Sequence, residues 1–263
     1  MGPAGHPPAT RLLWLAPAVP GRPRPALPLP ATAQAATTTP CASPAPLFLP
    51  PTPRLSLFPP HTVRSPAKYP AGTWPPGTAV VAGDVTQPAT LPAALAGADA
   101  AVFAASAAKG TLPATVDDEG VGHLATAAKA AGLRSVVLVS SALVDPKNGW
   151  NWIRILLNNM RKGKMMDAKW AGERRLVRTG VPYTIVRPGG LTDGPGGVSA
   201  LVVAQGDTGS LGRVARADVG RVCVAAAFDP AATGVTLELA SDAKKLAAEG
   251  PALVGLFDRL AKD

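Results

Sequence analysis

The sequence from Thr78 onward predicts an α/β fold in which helices cover both faces of a parallel sheet. Three observations carry that prediction. Short, almost wholly apolar runs recur along the chain, as buried parallel strands require. Amphipathic stretches of helical length separate them. Gly, Asp and Ser collect where the apolar runs end, as strand-to-helix turns demand. With 47% apolar and only 16% charged residues, the chain can bury a sizeable core.

The elements follow in order. "TAVVAGDV" (78–85) reads as a short strand closing in Gly-Asp, and "QPATLPAALAGAD" (87–99) as a small helix that tolerates Pro88 in its first turn. "AAVFAAS" (100–106) is the next buried strand. "TVDDEGVGHLATAAKAAG" (115–132) is a helix: Thr115 and Asp118 have capping-box spacing, Asp117 and Glu119 suit the positive end of its dipole, and Gly132 stops it. "RSVVLVSS" (134–141) is a strand, followed by a helical region containing "MMDAKWAGERRLVRTG" (165–180). "PYTIVRPGG" (182–190) is a further strand and "RADVGRVCVAAAF" (216–228) a further helix, before "TGVTLELAS" and "PALVGLFDRLAK" finish the chain. In such sheets ligands sit beyond the carboxyl ends of the strands. Asp84, Ser106, Ser140, Ser141 and the turn Arg187–Gly190 lie there.

The first 60 residues differ in kind. Of the 30 prolines, 21 fall in residues 1–76, and proline removes a backbone donor that a central strand needs. Residues 1–60 are expected to be a mostly disordered leader, with the domain proper over 61–263. Only "RLLWL" and "RLSLF" could pair with anything. No acid precedes Asp84, so Arg11, Arg22, Arg24, Arg54, Arg64 and Lys68 carry +6 of the net +9. A basic, acid-free leader has the composition of a transit peptide for a plastid or, alternatively, a mitochondrion.

The same asymmetry argues against a nucleic-acid reader, whose basic face would lie on the folded domain. Cys41 and Cys223 are the only cysteines, too few for a disulfide framework or a zinc site. No apolar run reaches the ~18 residues of a membrane span.

Taken together, "VRSPAK", "VVAGDVTQPATLPAALAGADAAVFAAS", "VDDEGVGHLATAAKAAGLRSVVLVSS", "AKWAGERRLVRTGVPYTIVRPGGL" and "RADVGRVCVAA" resemble the atypical short-chain dehydrogenase/reductases, specifically the NmrA-like plastid group of plants and algae. The resemblance spans about residues 61 to 240. It implies a Rossmann-like sheet, a nicotinamide dinucleotide (NADP, or else NAD), oxidoreductase chemistry on an unidentified small molecule, and a plastid location in the stroma or at a membrane periphery.

It also implies roles for particular residues. Arg64 would meet the 2′-phosphate of NADP, for which a planar guanidinium is suited. Asp84 and Val85 would flank the adenine, and Ala104, Ala105 and Ser106 would back a ribose. Ser140 and Ser141 close the fifth family strand, Lys169 would bond the nicotinamide ribose, and Pro188 and Gly189 would lie under the nicotinamide. Lys169, Ser140 and Ser141 are therefore the catalytic candidates. The family tyrosine that donates a proton, four residues before the lysine, is here Met165, which has no proton to give.

One unit departs from the pattern. Such folds open with a strand and a glycine-rich phosphate turn, whereas residues 1–60 hold glycine only at 2, 5 and 21. Losing about three N–H bonds to phosphate, at ~1.5–3 kcal/mol each, weakens binding from micromolar to millimolar or beyond. In the order 3-2-1-4-5-6 the first strand is central, so the domain is expected to be N-terminally incomplete. Either "RLLWL" or "RLSLF" fills the slot, or the coding sequence lacks an exon. The functional expectations are an NADP(H)-dependent oxidoreductase, a non-catalytic NADP(H)-sensing or interaction module, or an inactive remnant.

Overall fold

The apolar runs at 80–82, 100–103, 135–139 and 183–188 become strands of one sheet. The computed structural model describes residues 12–15, 61–63, 79–108, 110–159, 164–208, 212–246, 253 and 255–263. Strands β1 (Leu12–Leu15), β2 (His61–Val63), β3 (Val80–Ala82), β4 (Ala100–Phe103), β5 (Ser135–Val139) and β6 (Tyr183–Pro188) lie parallel in the order β3-β2-β1-β4-β5-β6. Strand β10 (Val235–Leu246) continues the parallel set beside β6. Strands β8 (Ser199–Ala204) and β9 (Arg213–Ala215) pair antiparallel with β10, and β7 (Gly190–Thr192) runs along β9. The sheet is thus mixed, mostly parallel and Rossmann-like.

The first strand settles the choice that the sequence leaves open. "RLLWL", not "RLSLF", holds the central slot: Leu12 to Leu15 pair with Ala100 to Phe103, and Trp14 and Leu15 with His61 and Thr62. These four residues are the part of the leader, expected to be mostly disordered, that the sequence left free to pair. Leucine supplies what the slot needs, because alternate residues of a central strand must be apolar on both faces. Leu13 and Leu15 enter one core and Leu12 the other.

Those two cores lie on opposite faces of the sheet. On one, Leu91 and Leu95 of α1 (Leu91–Leu95), Val121, Leu124 and Ala128 of α2 (Glu119–Ala130), and Leu176 of α4 (Met165–Thr179) cover Leu13, Phe103, Leu138 and Ile185. On the other, Val219, Val222, Cys223 and Ala226 of α5 (Arg216–Phe228) cover Leu12, Val102, Val137 and Val186. Helix α2 stops at Gly132, whose φ of 70° suits a residue without Cβ, and Leu133 N–H donates back to Ala128 at 3.0 Å. A short helix α3 (Trp152–Asn159) precedes α4.

The start of α2 differs from the sequence reading. No capping box forms. Residues Ala114–Asp118 make a π-helical turn, Thr115 Oγ1 donates to Leu112 O at 2.8 Å, and no side chain caps the turn. Within this turn Asp117 lies inside the domain, where it is 2% exposed. Gly172 of α4 makes room for this: a Cβ there would lie 2.0 Å from Asp117 O.

Candidate functional site

The carboxyl ends of β4 and β5 and the middle of α4 converge on a narrow crevice lined by Phe103, Asp117, Val121, Leu138, Val139, Ser140 and Lys169. Asp117 is its hub. Its Oδ1 accepts from Ser106 Oγ at 2.8 Å and from Lys169 Nζ at 2.8 Å, while its Oδ2 accepts from Ala107 N at 3.0 Å. Both partners of the Asp117–Lys169 ion pair are largely withdrawn from water, with side-chain exposures of 1% and 13%. A buried charge pair persists only when further hydrogen bonds satisfy it, and Ser106 and Ala107 provide them.

Sequence reasoning missed Asp117 by assigning it to the helix dipole. The signal was its register: 117, 121, 124 and 128 share one helical face, and Val121, Leu124 and Ala128 are core residues. A carboxylate on an apolar stripe needs a buried cation, and Lys169 is that cation.

Ser140 lies on the opposite wall. Its backbone N–H donates to Val186 O at 2.8 Å, which closes β5 against β6. Its hydroxyl is buried without a hydrogen-bond partner among the described residues, although it lies near enough to help hold down the pKa of the Glu173 carboxyl. Glu173 is itself clasped by Arg187, at 3.1 Å to Nε and 2.6 Å to Nη2. Burial lifts the Glu173 carboxyl above its usual range, against the opposing pull of Arg187 and Ser140. Burial works against the Arg187 charge too, but the Glu173 pair outweighs it and raises the guanidinium further. The Trp170 ring, 5.6 Å from the Arg187 guanidinium carbon, covers the pair.

The other sequence candidates occupy strand ends with local duties. Asp84 Oδ1 accepts from Thr86 N at 2.9 Å and Thr86 Oγ1 at 2.8 Å, an Asx turn after β3. Val85 is buried against α2, where Gly120 gives it room, and its carbonyl accepts from His123 Nδ1 at 2.8 Å. Ala104 N donates to Leu15 O at 2.7 Å, joining the ends of β4 and β1, and Ala105 packs on the core. Ser141 Oγ turns back to Ala142 O at 3.0 Å. Pro188 O accepts from Ala142 N at 3.0 Å, and Gly189 is fixed by crowding, since a Cβ would meet Gly212 O at 2.2 Å. Arg64 lies outside the described residues. The structure therefore gathers Ser140 and Lys169 into one crevice, with Ser106 bonded to Asp117 beside it. Asp84, Val85, Ser141, Pro188 and Gly189 do not line it.

Met165, at the first position of α4, packs beside Leu143, Val144 and Met166. Among the described residues no cluster of metal-ligating side chains occurs.

The chain is similar to known proteins over the same region. An uncharacterised chloroplastic protein of Arabidopsis thaliana is 34% identical over 185 residues, which cover 62% of this chain and 55% of that protein. Sanguinarine reductase of Eschscholzia californica is 38% identical over 122 residues, covering 45% of this chain and 42% of the enzyme. The chain spans about half the length of these curated relatives. Among solved structures, an oxidoreductase from Lactococcus lactis superposes with a TM-score of 0.62 at 21% identity, covering 77% of this chain and 87% of that one, a likeness of fold. The sequence pattern of the family described as NAD(P)H-binding matches residues 59–230. That match takes in the strands and helices that build the crevice, and the chain belongs to the NAD(P)H-binding family.

Proposed function

We propose that the chain is an NADP(H)-dependent oxidoreductase of the plastid, acting on a small molecule at the Ser140–Lys169 crevice. The observation that carries this reading is the Ser140 hydroxyl, which is buried, has no hydrogen-bond partner among the described residues and lines the same crevice as Lys169. A buried hydroxyl without a partner costs about 1–3 kcal/mol, and a ligand able to bond it recovers that loss. The donor set suits the nicotinamide end of a dinucleotide: a lysine for ribose hydroxyls and a serine for a carbonyl or carboxamide. A nicotinamide cofactor would supply the hydride, and the protein's work is to orient and protonate.

Lys169 can do its part without breaking the Asp117 pair. An ammonium has three N–H donors. Asp117 uses one and holds the other two in a fixed direction, so the carboxylate orients the lysine. Ser140 supplies the crevice with a hydroxyl in place of the missing tyrosine. Behind it Glu173, clasped by Arg187, is placed to orient the serine hydroxyl. Arg64 selects the 2′-phosphate, Asp84 and Val85 bound the adenine, Ala104 to Ser106 back a ribose, and Pro188 and Gly189 close the nicotinamide side. The stretch between β1 and β2 contains Gly21 as its single glycine, so the pyrophosphate is held less firmly than in glycine-rich relatives. The chloroplastic relative and the basic leader support the plastid location.

Met165 favours a second reading, a non-catalytic NADP(H) sensor, since it occupies the site of the usual acid. Calorimetric titration with NADPH and NADH, followed by a panel of quinones and carbonyl compounds, decides. Binding with turnover that falls in Ser140→Ala and Lys169→Met supports the oxidoreductase. Binding without turnover supports the sensor. No binding of either nucleotide overturns both and leaves the inactive remnant.

A further inference from the structure

Helix α3 carries a polar pair on its inward face and an apolar stripe on its outward face. Its inward face carries Arg154, 6% exposed, whose Nη2 donates to Asp167 Oδ1 at 2.6 Å and to Val144 O at 3.4 Å. Asn158, also inward, donates to Asp167 Oδ2 at 3.0 Å and accepts from Met166 N at 3.0 Å. Ile153 and Leu157 pack beside them against Leu143, Val144 and Met166. The outward face is apolar: Trp152, Ile155 and Leu156 are 69%, 44% and 50% exposed, and Trp150, just before the helix, is 96% exposed. Positions 152, 155 and 156 form one stripe. A surface helix of a water-soluble domain ordinarily does the reverse, and an exposed cluster of large apolar side chains marks an interaction surface.

The charge around this stripe is one-sided. Between Val144 and Ala168 the only acids are Asp145 and Asp167. Asp145 accepts from Lys147 N at 2.9 Å, and Asp167 is committed to Arg154 and Asn158. The basic residues Lys147, Arg161, Lys162 and Lys164 flank the helix in sequence, the last three within the five residues that lead from α3 to α4. A sheet of anionic headgroups over hydrocarbon complements both features. Trp prefers the headgroup boundary, Ile and Leu reach the acyl layer, and Lys and Arg pair with the phosphates. Among the described residues no helix is long and apolar enough to cross a membrane, so the contact is with one surface.

We propose that the Trp150–Asn159 surface docks this domain onto an anionic lipid bilayer.

The test uses the full chain and sedimentation with vesicles of phosphatidylcholine, with or without phosphatidylglycerol. The expected result is binding to the anionic vesicles, a blue shift of tryptophan emission, and weakening in high salt. The Trp150→Ser/Trp152→Ser/Ile155→Ser/Leu156→Ser variant should lose roughly 100-fold or more in partitioning while its urea midpoint holds, because all four side chains already meet water. The Arg161→Gln/Lys162→Gln variant should lose about fivefold for each charge removed. Equal binding to neutral vesicles, a quadruple variant that binds like the parent, or an emission spectrum unmoved by anionic vesicles would each overturn the proposal. So would a dimer in analytical ultracentrifugation that the quadruple variant disperses, since a second copy would then occupy the stripe.

Discussion

Removing β1 should unfold the domain, and the size of the effect can be worked out beforehand. Leu12, Leu13 and Leu15 are each no more than 4% exposed. At ~1.5–3 kcal/mol for each fully buried side chain, the three contribute about 5–9 kcal/mol. A domain of this size has a total stability of about 5–15 kcal/mol. The strand also pairs on both sides, with β4 and β2, so its loss opens two ladders in the middle of the sheet. Deleting residues 1–15 should therefore abolish the cooperative urea transition followed by circular dichroism.

A gentler perturbation isolates the packing. Leu13→Ala should cost about 2–5 kcal/mol, the range for emptying a closed apolar site, and leave the transition cooperative. Leu57→Ala, in the rival segment "RLSLF", discriminates between the two candidates. If that segment held the central slot, Leu57→Ala would carry the loss and Leu13→Ala would change little. A deletion of residues 1–15 with the parent's midpoint, or Leu13→Ala within ~0.5 kcal/mol of the parent, would refute the placement of β1. The outcome also bears on processing, because a transit-peptide cut beyond Leu15 would take the central strand with it.

Three further outcomes are expected. Asp117→Asn and Lys169→Met should each destabilise by about 3 kcal/mol, and the double variant by clearly less than their sum; additivity within ~0.5 kcal/mol would show that the pair does not interact. Burial and the neighbouring Asp263, which accepts a bond from the Tyr183 hydroxyl at 3.1 Å, push the Tyr183 pKa up to about 12. Because the folded value lies above the ordinary one, the stability that Tyr183 contributes is present below pH ~10 and is lost as pH rises through the folded value. Tyr183→Phe should erase that alkaline loss and the matching step in a 295 nm titration. Arg64→Ala should weaken NADPH by about 10- to 100-fold with little change for NADH, measured calorimetrically; equal losses for both would remove the 2′-phosphate role.

What the sequence disclosed and what it hid divide along physical lines. Strands β3 to β6 and the helices α2, α4 and α5 were legible because burial on both faces leaves an almost unbroken apolar run, and Gly132 and Gly180 supply the left-handed residue a helix end needs. β1 was half legible. Its four residues are apolar enough, but a proline-rich setting speaks against a strand, and only partners far along the chain, at Ala100–Phe103 and His61–Thr62, fix it in place.

The site was harder to see, since it depends on contacts that no local pattern contains. Ser140 and Lys169 could be named from the resemblance, but their neighbours Asp117 and Glu173 could not. Asp117 is 52 residues from Lys169, and its place near the start of α2 suggested only an interaction with the helix dipole. Helix α3 shows the same logic reversed. Its stripe of Trp152, Ile155 and Leu156 would pass for a core-facing surface in any window of sequence. What turns it outward is Asp167, one turn into the next helix, which gives Arg154 and Asn158 buried partners. Burial works against the Asp167 charge, yet the bonds from Asn158 and Arg154 hold its carboxyl below the usual range, so it stays the stronger claim on that face of α3. The apolar stripe is left facing out because the polar face has the better partner inside.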